Sequence, residues 1–232
     1  MKLNVEVFRK VVANAVIVLV VAGVFGLSLS GVVPASGSGN RPIYKGTSAD
    51  RVSLMVNVYW GTEYLDGMLK TLDKHNVTTT FFVGGSWVNE NEEMLKRIAA
   101  AGHEIGNHGY FHKAHDKLNA QRNRDEITAA HSLVRDILGI EMTLFAPPSG
   151  AFNQTTLDAA SSLGYTTVMW TRDTVDWRDR DTKLIVKRAT KNTAGGDLIL
   201  MHPTANTAEA LETILVTLKE KNLTVAPVSR VI

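Results

Sequence analysis

Gly102-His103-Glu104-Ile105-Gly106-Asn107-His108-Gly109-Tyr110-Phe111-His112 joins a short apolar-alternating run to two histidines four residues apart. Neutral imidazole is a common metal ligand, and a pair with this spacing leaving a strand end reaches one ion with both rings. In an arbitrary chain the same pair is one buried and one surface histidine, so its meaning depends on its surroundings. Five further segments fall into step with it. They are Asn57-Val58-Tyr59-Trp60-Gly61, Thr80-Phe81-Phe82-Val83, Ala146-Pro147-Pro148-Ser149-Gly150, Asp173-Thr174-Val175-Asp176-Trp177 and Leu200-Met201-His202-Pro203.

Outward from these segments, β-prone runs alternate with amphipathic stretches. Strands are expected over 52–58, 79–83, 104–107, 143–146, 166–170, 198–202 and 224–228, with helices over 64–74, 91–101, 120–138, 155–163, 182–190 and 208–221. Gly102, Gly139 and Gly164 follow three of these helices, as left-handed C-terminal stops do. Asn89 with Glu92, and Asn206 with Glu209, read as N-terminal caps. Repeated strand-helix units imply an α/β fold with a parallel sheet, open or closed into a barrel. The polar clusters follow the strand ends and converge only if those strands share a rim, which favours the barrel.

In order and spacing these segments resemble the polysaccharide deacetylase family, carbohydrate esterase family 4, over residues 51–232. The form Asn-Val-Asp-Trp-Gly of a sporulation-linked bacterial branch is similar to Asn57–Gly61, with Tyr59 as the departure. The resemblance implies a distorted (β/α)7 barrel and metal-assisted hydrolysis of an acetamide. In relatives the positions of His108 and His112, with an aspartate, hold a divalent metal, commonly zinc, that polarises the carbonyl and activates water. That aspartate position is Trp60 here, so the metal is expected to be weakly held or absent. Tyr59 occupies the place of the base aspartate, and a phenol keeps its proton at neutral pH. Ala146 replaces the arginine that braces that base.

The resemblance further assigns the oxyanion-binding N–H to Ser149, the proton donor to the leaving amine to His202, and the carboxylate that orients it to Asp176. Trp177 becomes a wall for the sugar and Leu200 the lining of the acetyl pocket. Asp173 supports that turn. Tyr59 and Trp60 become a surface for packing or for stacking on a sugar. Glu63 is the nearest alternative base, and His115 or Asp116 the nearest substitute ligands, although loop positions are commonly just solvated. A salt-bridged loop around Arg172, Arg178 and Arg180 is the bland alternative for the Asp173–Trp177 segment.

The 232 residues are 44% hydrophobic, enough for a real core. Twenty-five basic against 23 acidic residues, with no basic stripe, give no case for nucleic acid. Without cysteine, histidines and carboxylates are the strong metal ligands available. No Gly-rich phosphate loop supports a phosphate-ester enzyme. Lys2, Arg9 and Lys10 precede a charge-free stretch from Val11 to Asn40. Residues 1–35 therefore read as a signal peptide or membrane anchor, 36–50 as a linker, and 51–232 as the exported domain. Two functions follow. One is a deacetylase-like hydrolase acting on N-acetylated cell-wall glycan, peptidoglycan or chitin-like oligomers, with activity impaired. The other is an inactive glycan-binding or envelope scaffold.

Overall fold

The computed structural model describes residues 40–232, and the expected export or membrane segment lies outside the described residues. The strands are β1 (Arg51–Val58), β2 (Thr80–Val83), β3 (Glu104–Asn107), β4 (Leu144–Phe145), β5 (Thr166–Thr167), β6 (Arg172–Asp173), β7 (Leu198–Met201) and β8 (Thr224–Val225). Seven of them follow the order β5-β4-β3-β2-β1-β7-β6, and β8 pairs with the start of β1. Every ladder is parallel. Helices α1 (Thr62–Lys74), α2 (Gly85–Glu90), α3 (Glu92–Ala100), α4 (Ala120–Leu138), α5 (Gln154–Ser162), α6 (Thr182–Thr190) and α7 (Ala205–Glu220) connect them. The α/β architecture is the expected distorted (β/α)7 barrel. It is a curled sheet left open between β5 and β6.

β1 explains how the sheet directs the site. Side chains alternate along a strand. Leu54, Val56 and Val58 join the cluster that packs against Leu65, Met68 and Leu72 of α1, whereas Met55 joins the inner cluster with Phe82, Val168 and Leu198. Asn57 and then Tyr59 continue the Met55 side, toward the barrel mouth. On α1 the buried Leu65, Met68, Leu69 and Leu72 form one apolar stripe. Gly102, Gly139 and Gly164 adopt the expected left-handed conformation, with φ of 79°, 68° and 79°.

Several local expectations are corrected. α2 and β6 are additional elements, and at six and two residues they are too short to leave a periodic signal. The strand expected over 166–170 ends at Thr167, and Val168, whose N–H still donates to the Phe145 carbonyl, forms an isolated bridge with Ile43. α3 begins after Asn91, whose side chain makes no cap bond, so Asn89 is not its cap. α7 is capped by Thr204, whose side chain accepts from the Thr207 N–H, rather than by Asn206. His115 is not solvated but fully buried.

The stretch 40–50, read from sequence as the end of a linker, is built into the compact unit that starts at Asn40. Ile43 bridges to Val168 and Lys45 to Asp197. The N–H groups of Thr47 and Ser48 donate to the Val231 carbonyl. Gly46 admits no side chain there, since a Cβ would stand 2.1 Å from the Val231 carbonyl oxygen. No helix among the described residues is long and apolar enough to cross a membrane.

Candidate active site

The ends of β1, β3, β6 and β7 and the turn after β4 open onto one cavity of about 340 Å3, lined by Asn57, Tyr59, Trp60, His108, His112, Ser149, Trp170, Asp173, Trp177, Leu200 and His202. Parallel strands in register with one another deliver their C-terminal ends to one rim, which is why segments far apart in sequence meet. Asp176 stands behind this wall, 2% exposed.

His202 and Asp176 form the most completely bonded part of the site. The Asp176 carboxylate accepts from His202 Nδ1 at 2.8 Å through Oδ1, and through Oδ2 from the His202 backbone N–H at 2.7 Å and the Thr207 hydroxyl at 2.6 Å. Nδ1 therefore carries the proton and Nε2 is left for the pocket. The salt-bridged alternative does not involve this aspartate. Arg172 pairs with Asp197 and Arg178 with Asp179.

His108 is fixed in the same tautomeric sense. Its Nδ1 donates to the Ala146 carbonyl at 2.7 Å. Burial, reinforced by nearby His112, pushes its pKa down to about 3, so the ring is neutral and Nε2 is a free lone pair. Burial also lowers His112, chiefly by desolvation. The two rings are 5.1 Å apart between centroids.

The aromatic pair at the end of β1 covers both histidine groups. Tyr59 lies against His112 with centroids 4.7 Å apart, and Trp60 stacks on His202 at 5.8 Å with the planes 10° apart. Gly84 makes room for Tyr59, because a Cβ there would stand 2.5 Å from its ring. Gly61, at φ 80°, brings β1 against Pro203, where a Cβ would meet the carbonyl oxygen at 2.0 Å.

A divalent ion with three protein ligands does not fit this donor set. Catalytic zinc normally takes three such ligands and a water. Among the described residues no group of three or more His, Asp or Glu is arranged to hold one. His115, weighed as a substitute, gives Nδ1 to Asn123 at 2.7 Å and is outside the cavity lining. Asp116 and the exposed Glu63 are also outside it.

Three groups escaped the sequence reading. Asn57 is 4% exposed and lines the pocket, and its Oδ1 has no hydrogen-bond partner. Strand alternation from Tyr59 was the available signal. Trp170 closes the wall beside Gly150, and Thr207 braces Asp176 from α7.

The polysaccharide deacetylase model matches residues 44–168, more than half of the chain. The chain belongs to the polysaccharide deacetylase family. It is 40% identical to the YlxY protein of Bacillus subtilis strain 168 over 190 residues, 82% of this chain and 60% of that protein. It is 32% identical to the peptidoglycan-N-acetylglucosamine deacetylase PgdA of Listeria monocytogenes over 178 residues, 76% of this chain and 38% of that one. The chain thus spans less than two thirds of both relatives. Among solved structures, a carbohydrate esterase family 4 pseudoenzyme from Bacillus anthracis superimposes with a TM-score of 0.81 at 36% identity, covering 83% of this chain and 69% of that one. A mutant of that pseudoenzyme, described as having restored enzymatic activity, superimposes equally well.

Proposed function

We propose that this family member binds N-acetylated peptidoglycan on the outer side of the membrane and holds an N-acetyl sugar in the pocket with little or no hydrolysis. One observation carries the reading: the strand end beside both histidine groups presents Tyr59 and Trp60, whose rings lie on His112 and His202. Aromatic faces stack on sugars, whereas neither side chain supplies a base or a third metal ligand. Trp60 and Trp177 are 43% and 56% exposed at the mouth, more than packing alone requires of such large rings. Leu200 offers the acetyl methyl an apolar contact, and the Ser149 N–H a donor for its oxygen. The polysaccharide deacetylase family and a PgdA relative support the choice of glycan, and a pseudoenzyme neighbour supports the low turnover. The charge-free N-terminal stretch supplies the export or anchoring.

The second reading, slow hydrolysis, is favoured by the His202–Asp176 pair, which is oriented as a proton donor to a leaving amine. Two assays on the protein separate them: binding of an N-acetylglucosamine tetramer, and acetate release from it. Binding with turnover far below about one per second supports the first reading. Turnover at an enzyme-like rate rejects it. Absence of binding rejects both.

A further inference from the structure

Beside the pocket lies a second cleft, of about 530 Å3, walled by Thr171, Arg172, Asp173, Lys187, Arg188 and Lys191. Asp173 stands in the walls of both cavities, so the two are immediate neighbours. The two arginines are already engaged. Arg172 pairs with Asp197 and donates to the Asn192 carbonyl, while Arg188 pairs with Asp179 and donates to the Thr174 carbonyl. Lys187 and Lys191 are exposed and enter no ion pair among the described residues. A helix C-terminus favours cations in itself, and Lys187 lies in the last turn of α6. That local preference does not account for both of them lining a cleft next to the sugar pocket. Asp173 offsets them only in part, with Oδ1 already accepting the Val175 N–H at 2.8 Å.

Resting on the reading that the pocket holds an N-acetyl sugar, the geometry points to this cleft as the seat of the carboxylates of a peptide stem. The ligand is then peptide-bearing peptidoglycan, not a bare N-acetylglucosamine polymer. A bare polymer is uncharged and has nothing for two free ammonium groups to recognise. A stem of four residues reaches roughly 13 Å and carries side-chain and terminal carboxylates. Exposed ion pairs are individually weak and screened by salt, so two of them imply roughly a three- to tenfold preference at low ionic strength.

The test compares a peptidoglycan tetrasaccharide carrying its peptide stems with the same tetrasaccharide after an amidase has removed them and the lactyl carboxylates so exposed have been capped as methyl amides. The protein should bind the stem-bearing form three- to tenfold more tightly, and the ratio should fall toward one in about 0.5 M salt. Lys187→Gln with Lys191→Gln should abolish the preference without changing affinity for the stripped glycan. Lys187→Glu with Lys191→Glu should invert it. Equal affinities in the parent, or a preference surviving the Gln pair, overturn this inference alone. Competition by a polyglycerol phosphate as effective as that by stems overturns it in favour of a phosphate polymer. Failure of the parent to bind either tetrasaccharide removes the sugar-binding reading as well.

Discussion

On the resemblance-based expectation that Tyr59 and Ala146 stand where relatives carry a base aspartate and its bracing arginine, substitutions at the two positions should be coupled. Ala146 is fully buried. An arginine placed there alone would be an unpaired buried charge, and Ala146→Arg should lower stability by about 3 kcal/mol in urea unfolding. With Tyr59→Asp present the loss should shrink. Tyr59→Asp with Trp60→Asp should tighten zinc binding at least roughly tenfold by calorimetry, by giving His108 and His112 a carboxylate companion. Acetate release should rise with it and rise further, non-additively, in the triple variant. Unchanged zinc affinity would count against the site as drawn. His103 sets a pH dependence outside the site. It accepts the Thr79 N–H through Nδ1 at 3.2 Å, and burial pushes its pKa down to about 4. The unfolded chain therefore binds the proton more readily, so this stability is complete above about pH 6.5 and is lost as pH falls toward 4. His108 acts in the same direction. The melting temperature should drop between pH 7.5 and 4.5, and less so in His103→Gln. His108, His112, Ser149 and His202, which line the pocket, were legible in sequence because their segments resemble the family's motifs in order and spacing. Asn57 was not read as a site residue, since strand alternation from Tyr59 puts it on the pocket side but an amide there carries no chemistry of its own to single it out.

At the level of elements, the turn after β6 shows what local geometry costs. Among the described residues, six non-glycine positions adopt left-handed conformations: three are asparagines, and the others are His112, Ser149 and Val175. His112 and Ser149 line the pocket, and Val175 precedes Asp176. For a β-branched side chain φ of 53° is an outlier. The turn holds Val175 through hydrogen bonds from the N–H groups of Arg178 and Asp179 to its carbonyl, and through Arg188 on the Thr174 carbonyl. Val175→Gly should therefore stabilise the protein by about 1 kcal/mol, read as a higher urea midpoint, with glycan affinity retained. A lower midpoint would mean that the valine side chain outweighs its backbone strain. Long periodic helices such as α4 and α6 were legible to the residue. β6 was not, because two residues held by a parallel ladder to β7 owe their conformation to a partner 27 positions away.

For the whole molecule, the boundary of the folded body falls where the charge-free stretch ends, at Asn40, ahead of the first long strand at Arg51. The residues after the Ser-Gly run carry no regular strand or helix pattern, yet Ile43 to Ser48 pair with Val168, Asp197 and Val231. A chain beginning at residue 40 should unfold at the same temperature as one beginning further upstream, while a chain beginning at residue 51 should melt several degrees lower. Equal melting of the last two would reduce the segment to a passive cover. Its course has one more consequence. Ile43 binds the chain just beyond β5 and Lys45 binds the start of β7, so this short length crosses the seam that the sheet leaves open. It works as a buckle on a split hoop. A pull transmitted along the polypeptide from upstream of Asn40 is therefore delivered first to that buckle, and mechanical load would open the ring at its seam, beside the strand that leads to His202, before it strained His108 at the end of β3.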